Sequence, residues 1–128
     1  MISSQDAAGF ADRWYEAWNS HDLDAILSHY ADDVEFSSPF VVALNDDPTG
    51  TLHGKDELRA YFARALERFP DLRFEPLDVL VGVDSVTLSY VSVGGRRTAE
   101  VMALDPDCRV LRVHAHYRDP QGNNDRSC

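Results

Sequence analysis

Trp14-Tyr15-Glu16-Ala17-Trp18-Asn19-Ser20-His21-Asp22-Leu23-Asp24, running on to Tyr30-Ala31-Asp32-Asp33-Val34-Glu35-Phe36-Ser37-Ser38-Pro39, decides the fold. Ala7, Phe10, Ala11, Trp14 and Trp18 recur at helical spacing and form one apolar face. Asn19-Ser20-His21 breaks that period, and Asp22 is a natural N-cap for a shorter helix bearing Leu23, Ile26, Leu27 and Tyr30. Asp32-Asp33 is expected to end this helix, with Val34, Phe36 and Ser38 alternating as a strand before Pro39.

Downstream, Asn45-Asp46-Asp47-Pro48-Thr49-Gly50 has the chemistry of a loop, and residues 40–53 lie where a lid could sit. A third helix opens after Gly54 on a stripe of Leu58, Tyr61, Phe62, Ala65, Leu66 and Phe69, and Pro70 stops it. From Leu72 the pattern is β, with strands expected at 72–82, 85–93, 96–104 and 109–118. Helices first and a strand meander afterwards predict an α+β fold, a curved antiparallel sheet with three helices on one face. A single domain is expected over residues 1–118, with a frayed polar tail at 119–128.

The 128 residues suffice for one compact core, and the 44% hydrophobic content is that of a globular chain. A formal net charge of −10 repels phosphate backbones and anionic lipid, so nucleic-acid and membrane roles are not expected. No apolar run approaches the ~20 residues of a membrane span, and the N-terminus lacks the pattern of a signal peptide. Cys108 and Cys128 suggest neither a disulfide framework nor a zinc motif, which predicts a cytoplasmic setting.

Hairpin parity selects candidate residues. If Gly94-Gly95 is a two-residue loop, Ser89 lies opposite Glu100; an even second loop puts Glu100 opposite Val113. One face then carries Thr87, Ser89, Val91, Thr98, Glu100, Met102, Leu111, Val113, Ala115 and Tyr117. The other carries Leu88, Tyr90, Val101, His114 and His116, an apolar face that predicts a homodimer through the outer side of the sheet. His114 and His116 share a face, but no third ligand converges on them, so no metal site is expected.

Glu100 is the anomaly, a carboxyl at mid-strand on an apolar face, and it is the candidate catalytic acid or base. Trp14, Trp18, Tyr30, Ser38, Tyr61, Ser89, Met102, Val113 and Tyr117 are the candidate binding residues around it.

On Trp14 to Asp24, Tyr30-Ala31-Asp32-Asp33-Val34 with Pro39, Gly54-Lys55-Asp56-Glu57-Leu58-Arg59 and the strand Val110 to Tyr117, the chain resembles the superfamily named after nuclear transport factor 2. Within it, the likeness is to the SnoaL-like polyketide-cyclase and ketosteroid-isomerase branch, over residues 5–118. The resemblance implies a cone-shaped sheet with three helices on its concave face. Where ketosteroid isomerases have an oxyanion-hole tyrosine, this chain has Trp14. Where they have a proton-shuttling aspartate before a proline, it has Ser38 before Pro39. Where they have a protonated aspartate, it has Glu100, and Tyr30 matches a supporting tyrosine of some members. Steroid isomerisation by that mechanism is therefore not expected, since its base is missing. The resemblance leaves three readings: a cofactor-free isomerase, cyclase or hydratase acting on a small hydrophobic molecule, a pocket that only binds such a molecule, and a dimeric interaction module.

Overall fold

The computed structural model describes residues 1–119. Helix α1 (Ser4–Ser20) starts where the Ser3 hydroxyl accepts from the Asp6 amide at 3.0 Å, and stops at His21, whose φ of 61° lies in the left-handed region. The Asp22 carboxylate then accepts from the Ala25 amide and caps α2 (Leu23–Leu27). Strand β1 (Tyr30–Ser37) follows at once. Asp32 and Asp33 therefore do not end a helix; they lie exposed within β1, where its pairing is irregular between Tyr30 and Glu35.

Residues 40–53 hold more regular structure than their sequence suggests. Ser38 accepts from the Phe40 amide, and Pro39 occupies the first turn of a short helix α3 (Pro39–Asn45). Gly50, at φ +64°, returns the chain into β2 (Thr51–His53); a side chain there would collide with Val42, its Cβ lying 2.9 Å from Val42 Cγ2. Helix α4 (Lys55–Arg68) follows Gly54 and buries Leu58, Tyr61 and Phe62.

The remaining chain forms β3 (Glu75–Val81), β4 (Ser85–Ser92), β5 (Arg96–Leu104) and β6 (Val110–Tyr117). The six strands make one sheet in the order β2-β1-β6-β5-β4-β3, antiparallel except for β1 against β6. This is the expected α+β architecture, with four α-helices among the described residues in place of three.

Register corrects one strand of the expected faces. Ser92 pairs with Arg96, so the β4–β5 loop has three residues, with Gly94 and Gly95 both at φ 73°. One extra loop residue turns every β4 side chain to the opposite face. Val86, Leu88 and Tyr90 therefore point into the core, whereas Thr87, Ser89 and Val91 lie on the outer side. In the β5–β6 hairpin, Glu100 pairs with Ala115 rather than Val113, a shift of two that preserves the face. A bulge at Leu111 cancels the odd-numbered loop, and Leu111 itself faces out.

Three cross-strand rows line the concave face: Val86–Met102–Val113–Phe36–Leu52, then Leu88–Glu100–Ala115, then Tyr90–Thr98–Tyr117. The predicted dimer surface loses Leu88 and Tyr90, which are 0% and 1% exposed beneath the helices. Val101, His114 and His116 do lie on the outer face. The expected tail at 119–128 lies, beyond Asp119, outside the described residues, as does Cys128. Among the described residues no helix is long and apolar enough to cross a membrane.

Candidate functional site

Leu88 is Glu100's direct cross-strand neighbour, so Tyr90 is its diagonal one, within reach of a long side chain. The Tyr90 hydroxyl donates to Glu100 Oε2 at 2.5 Å. Glu100 is only 4% exposed in a wall of aromatic and aliphatic side chains. Burial raises its pKa from 4.5 to about 7, against the opposing pull of the hydrogen bond from Tyr90, which favours the ionised form. A carboxyl poised there exists in both protonation states near neutral pH.

Glu100 borders a chamber of about 230 Å³ between the sheet and α4. Of the candidate binding residues, Trp18, Tyr61 and Tyr117 line this chamber. Helix α3 roofs it with Phe40 and Leu44, and Phe40 packs edge-on against Tyr117 with ring centroids 4.6 Å apart. Arg96 stands at the hairpin end of the chamber, its guanidinium 5.7 Å from the Phe40 ring centroid.

The other predicted residues divide by depth. Trp14 and Tyr30 form a buried pair beneath the chamber, the Trp14 indole donating to the Tyr30 hydroxyl at 3.0 Å. Met102 and Val113 are adjacent core residues, not part of the chamber wall. Ser38 is buried near the Tyr61 and Tyr117 hydroxyls, which it influences, but it borders a shallow outer groove instead, together with His114 and His116. Ser89 is not at the site: it faces the outer side, and only its backbone carbonyl is engaged, accepting from the Tyr15 hydroxyl at 3.4 Å. Among the described residues no cluster of three or more His, Cys, Asp or Glu could hold a metal.

Sequence reasoning missed Tyr90, Phe40, Phe74 and Arg96. Tyr90 was lost with β4's parity; the double glycine was the signal, since two left-handed residues also suit a three-residue turn.

All five tyrosines of the chain feel this one carboxyl. Burial raises the pKa of Tyr15, Tyr30, Tyr61, Tyr90 and Tyr117, and the Glu100 charge raises each further. Their hydroxyls therefore stay neutral across the working pH range and are available as donors. The Trp18 indole nitrogen is buried without a hydrogen-bond partner among the described residues.

A family model described as the SnoaL-like domain matches residues 11–121. Among solved structures, a SnoaL-like protein of unknown function from Burkholderia thailandensis is 47% identical, with a TM-score of 0.87 over 92% of this chain and 99% of that one. IdmH from Streptomyces antibioticus, a candidate polyketide cyclase, is 19% identical, with a TM-score of 0.73 over 88% and 92%. SalBIII, an epoxide hydrolase/cyclase-like enzyme in pyran ring formation in the polyether salinomycin, is 17% identical, with a TM-score of 0.72 over 92% and 95%. At those identities the last two show a shared fold. None of the curated proteins matches the chain.

Proposed function

The chain belongs to the SnoaL-like domain family, and from that premise we propose that it is a cofactor-free acid–base enzyme acting on a small hydrophobic carbonyl or enol compound, with Glu100 as the proton carrier. The observation that carries this is a buried carboxyl on the chamber wall, raised to about pH 7 and hydrogen-bonded by Tyr90. Ionised Glu100 removes a proton from carbon next to the carbonyl. The neutral acid is then favoured by its apolar surroundings. Returning the proton to another carbon of the same enolate is isomerisation. In ring closure the enolate carbon instead adds to a second carbonyl of the substrate, opening its C=O π bond, and the acid protonates the resulting alkoxide. Tyr90 steadies the carboxylate between the two transfers. Tyr61 and Tyr117 supply neutral hydroxyls for the oxygen on which negative charge develops.

The test needs no natural substrate. In the Kemp elimination of 5-nitrobenzisoxazole a base removes one C–H proton and the N–O bond opens. The protein is expected to outpace acetate at equal concentration, along a pH profile rising through about 7. Glu100→Gln should lower that rate by about 100-fold or more. A rate unchanged by the substitution rejects Glu100 as the base and leaves a pocket that only binds. Self-association remains a second proposal, resting on the outer row Leu80–Thr87–Val101–His114, in which Leu80 is 58% exposed. Sedimentation at micromolar concentration tests it, and a monomer counts against it.

A further inference from the structure

The charge around the chamber runs against the charge of the chain. Acidic residues outnumber basic ones 22 to 12 overall. Yet a vestibule of about 420 Å³ adjoins the chamber, sharing Phe69, Leu72 and the hairpin tip Ser92-Val93-Gly94 with it, and is bordered by Arg68 and Arg73. With Arg96, three guanidinium groups surround this entrance, and among the described residues that line it only Asp71 and the deeper Glu100 are acidic. Among the described residues none of the three arginines is paired with a carboxylate, whereas Lys55, Arg59 and Arg109 are. A concave, low-dielectric mouth concentrates such a field.

Arg96 is also held in place without being used up. Its Nη1 donates to the backbone carbonyls of Arg118 and Asp119 at 3.4 and 2.5 Å. Its Nε and Nη2, the two nitrogens that can grip a carboxylate side-on, have no acceptor among the described residues. The guanidinium also lies over the Phe40 ring, 5.7 Å from its centroid, beside the chamber roof.

We propose that the ligand of this chamber is a small organic acid whose carboxylate is held at the mouth by Arg96, drawn in by Arg68 and Arg73, while its apolar body occupies the aromatic chamber. This rests on the chamber's being the ligand site, as proposed above, but not on Glu100's transferring a proton. The arrangement fixes polarity: charged end at the hairpin, reacting carbons toward Glu100.

The test compares 3-phenylpropionate with 3-phenylpropionamide, a pair of matched shape, by quenching of tryptophan fluorescence at pH 6 and low salt. The carboxylate is expected to bind about tenfold more tightly than the amide. Arg96→Gln should bring the two within about twofold, and Arg96→Lys should recover part of the preference. Added salt should narrow it. Glu100→Gln should keep it, so failure of the proton-transfer reading would not be mistaken for failure of this one. Equal or tighter binding of the amide, a preference that survives Arg96→Gln, or binding of neither compound at millimolar concentration would overturn the proposal.

Discussion

At the deep end of the sheet's concave face, Trp14, Tyr30, Met102 and Val113 fill the space between helices and strands. At the other end, Trp18, Tyr61, Tyr117 and Glu100 stand around about 230 Å³ that the protein does not fill. Both ends are aromatic, and each has a tyrosine hydroxyl in a buried hydrogen bond. At the deep end the bond is Trp14 to Tyr30, neutral on both sides. At the hollow end it is Tyr90 to Glu100, with a group that can ionise. The carboxyl lies in the Leu88–Glu100–Ala115 row, between the filled row of Met102 and the row of Tyr90, Thr98 and Tyr117. Packing gives stability at one end; at the other, space is left beside a costly group, and the proposed chemistry rests on that space.

The largest expected effect belongs to the filled end. Trp14→Ala removes a side chain with 0% exposure and takes away the indole donor to Tyr30, so it should cost about 3–5 kcal/mol in urea unfolding. A loss under about 1 kcal/mol would mean that this end is hollow too.

Next comes the pH dependence of stability at the open end. The folded Glu100 carboxyl protonates near pH 7 and the unfolded one near 4.5, so between those values the native state binds more protons. Its contribution is therefore fully present below about pH 4.5 and is lost as pH rises to about 7, a decline on the order of 3 kcal/mol. Glu100→Gln should remove that decline, seen as the difference between the wild-type and variant unfolding curves across this range. Parallel curves would place Glu100 in water.

A smaller effect sharpens the contrast. Tyr90→Phe deletes the hydrogen bond that favours the carboxylate, so the Glu100 pKa should move upward by about one unit. The Kemp rate profile should shift to higher pH with it. A downward shift would mean that Tyr90 favours the neutral acid instead.

The filled end was the more legible from sequence. The stripe Ala7, Phe10, Ala11, Trp14 and Trp18 has one reading, because a helix face repeats over several turns. Glu100 stood out because a carboxyl between Thr98 and Met102 breaks an apolar face, and β5 and, beyond the bulge at Leu111, β6 kept their expected sides. The face of β4 was not legible. It depends on whether Gly94-Gly95 closes a loop of two residues or three, and strand alternation carries no memory across a turn. Tyr90 was thus exchanged for Ser89, the wrong partner for Glu100. Helix α3 was hidden for another reason: at seven residues it is too short to show a period, and only Ser38-Pro39 marks its start. Phe40 and Leu44 therefore could not be placed over the chamber, nor Arg96 against the face of the Phe40 ring.

The most direct check is on the carboxyl itself. Protein labelled with carbon-13 at glutamate side-chain carboxyls should show one resonance, absent from Glu100→Gln, that titrates with a midpoint near 7. A midpoint for that resonance between about 4 and 5, the range of a solvated glutamate, would contradict the account.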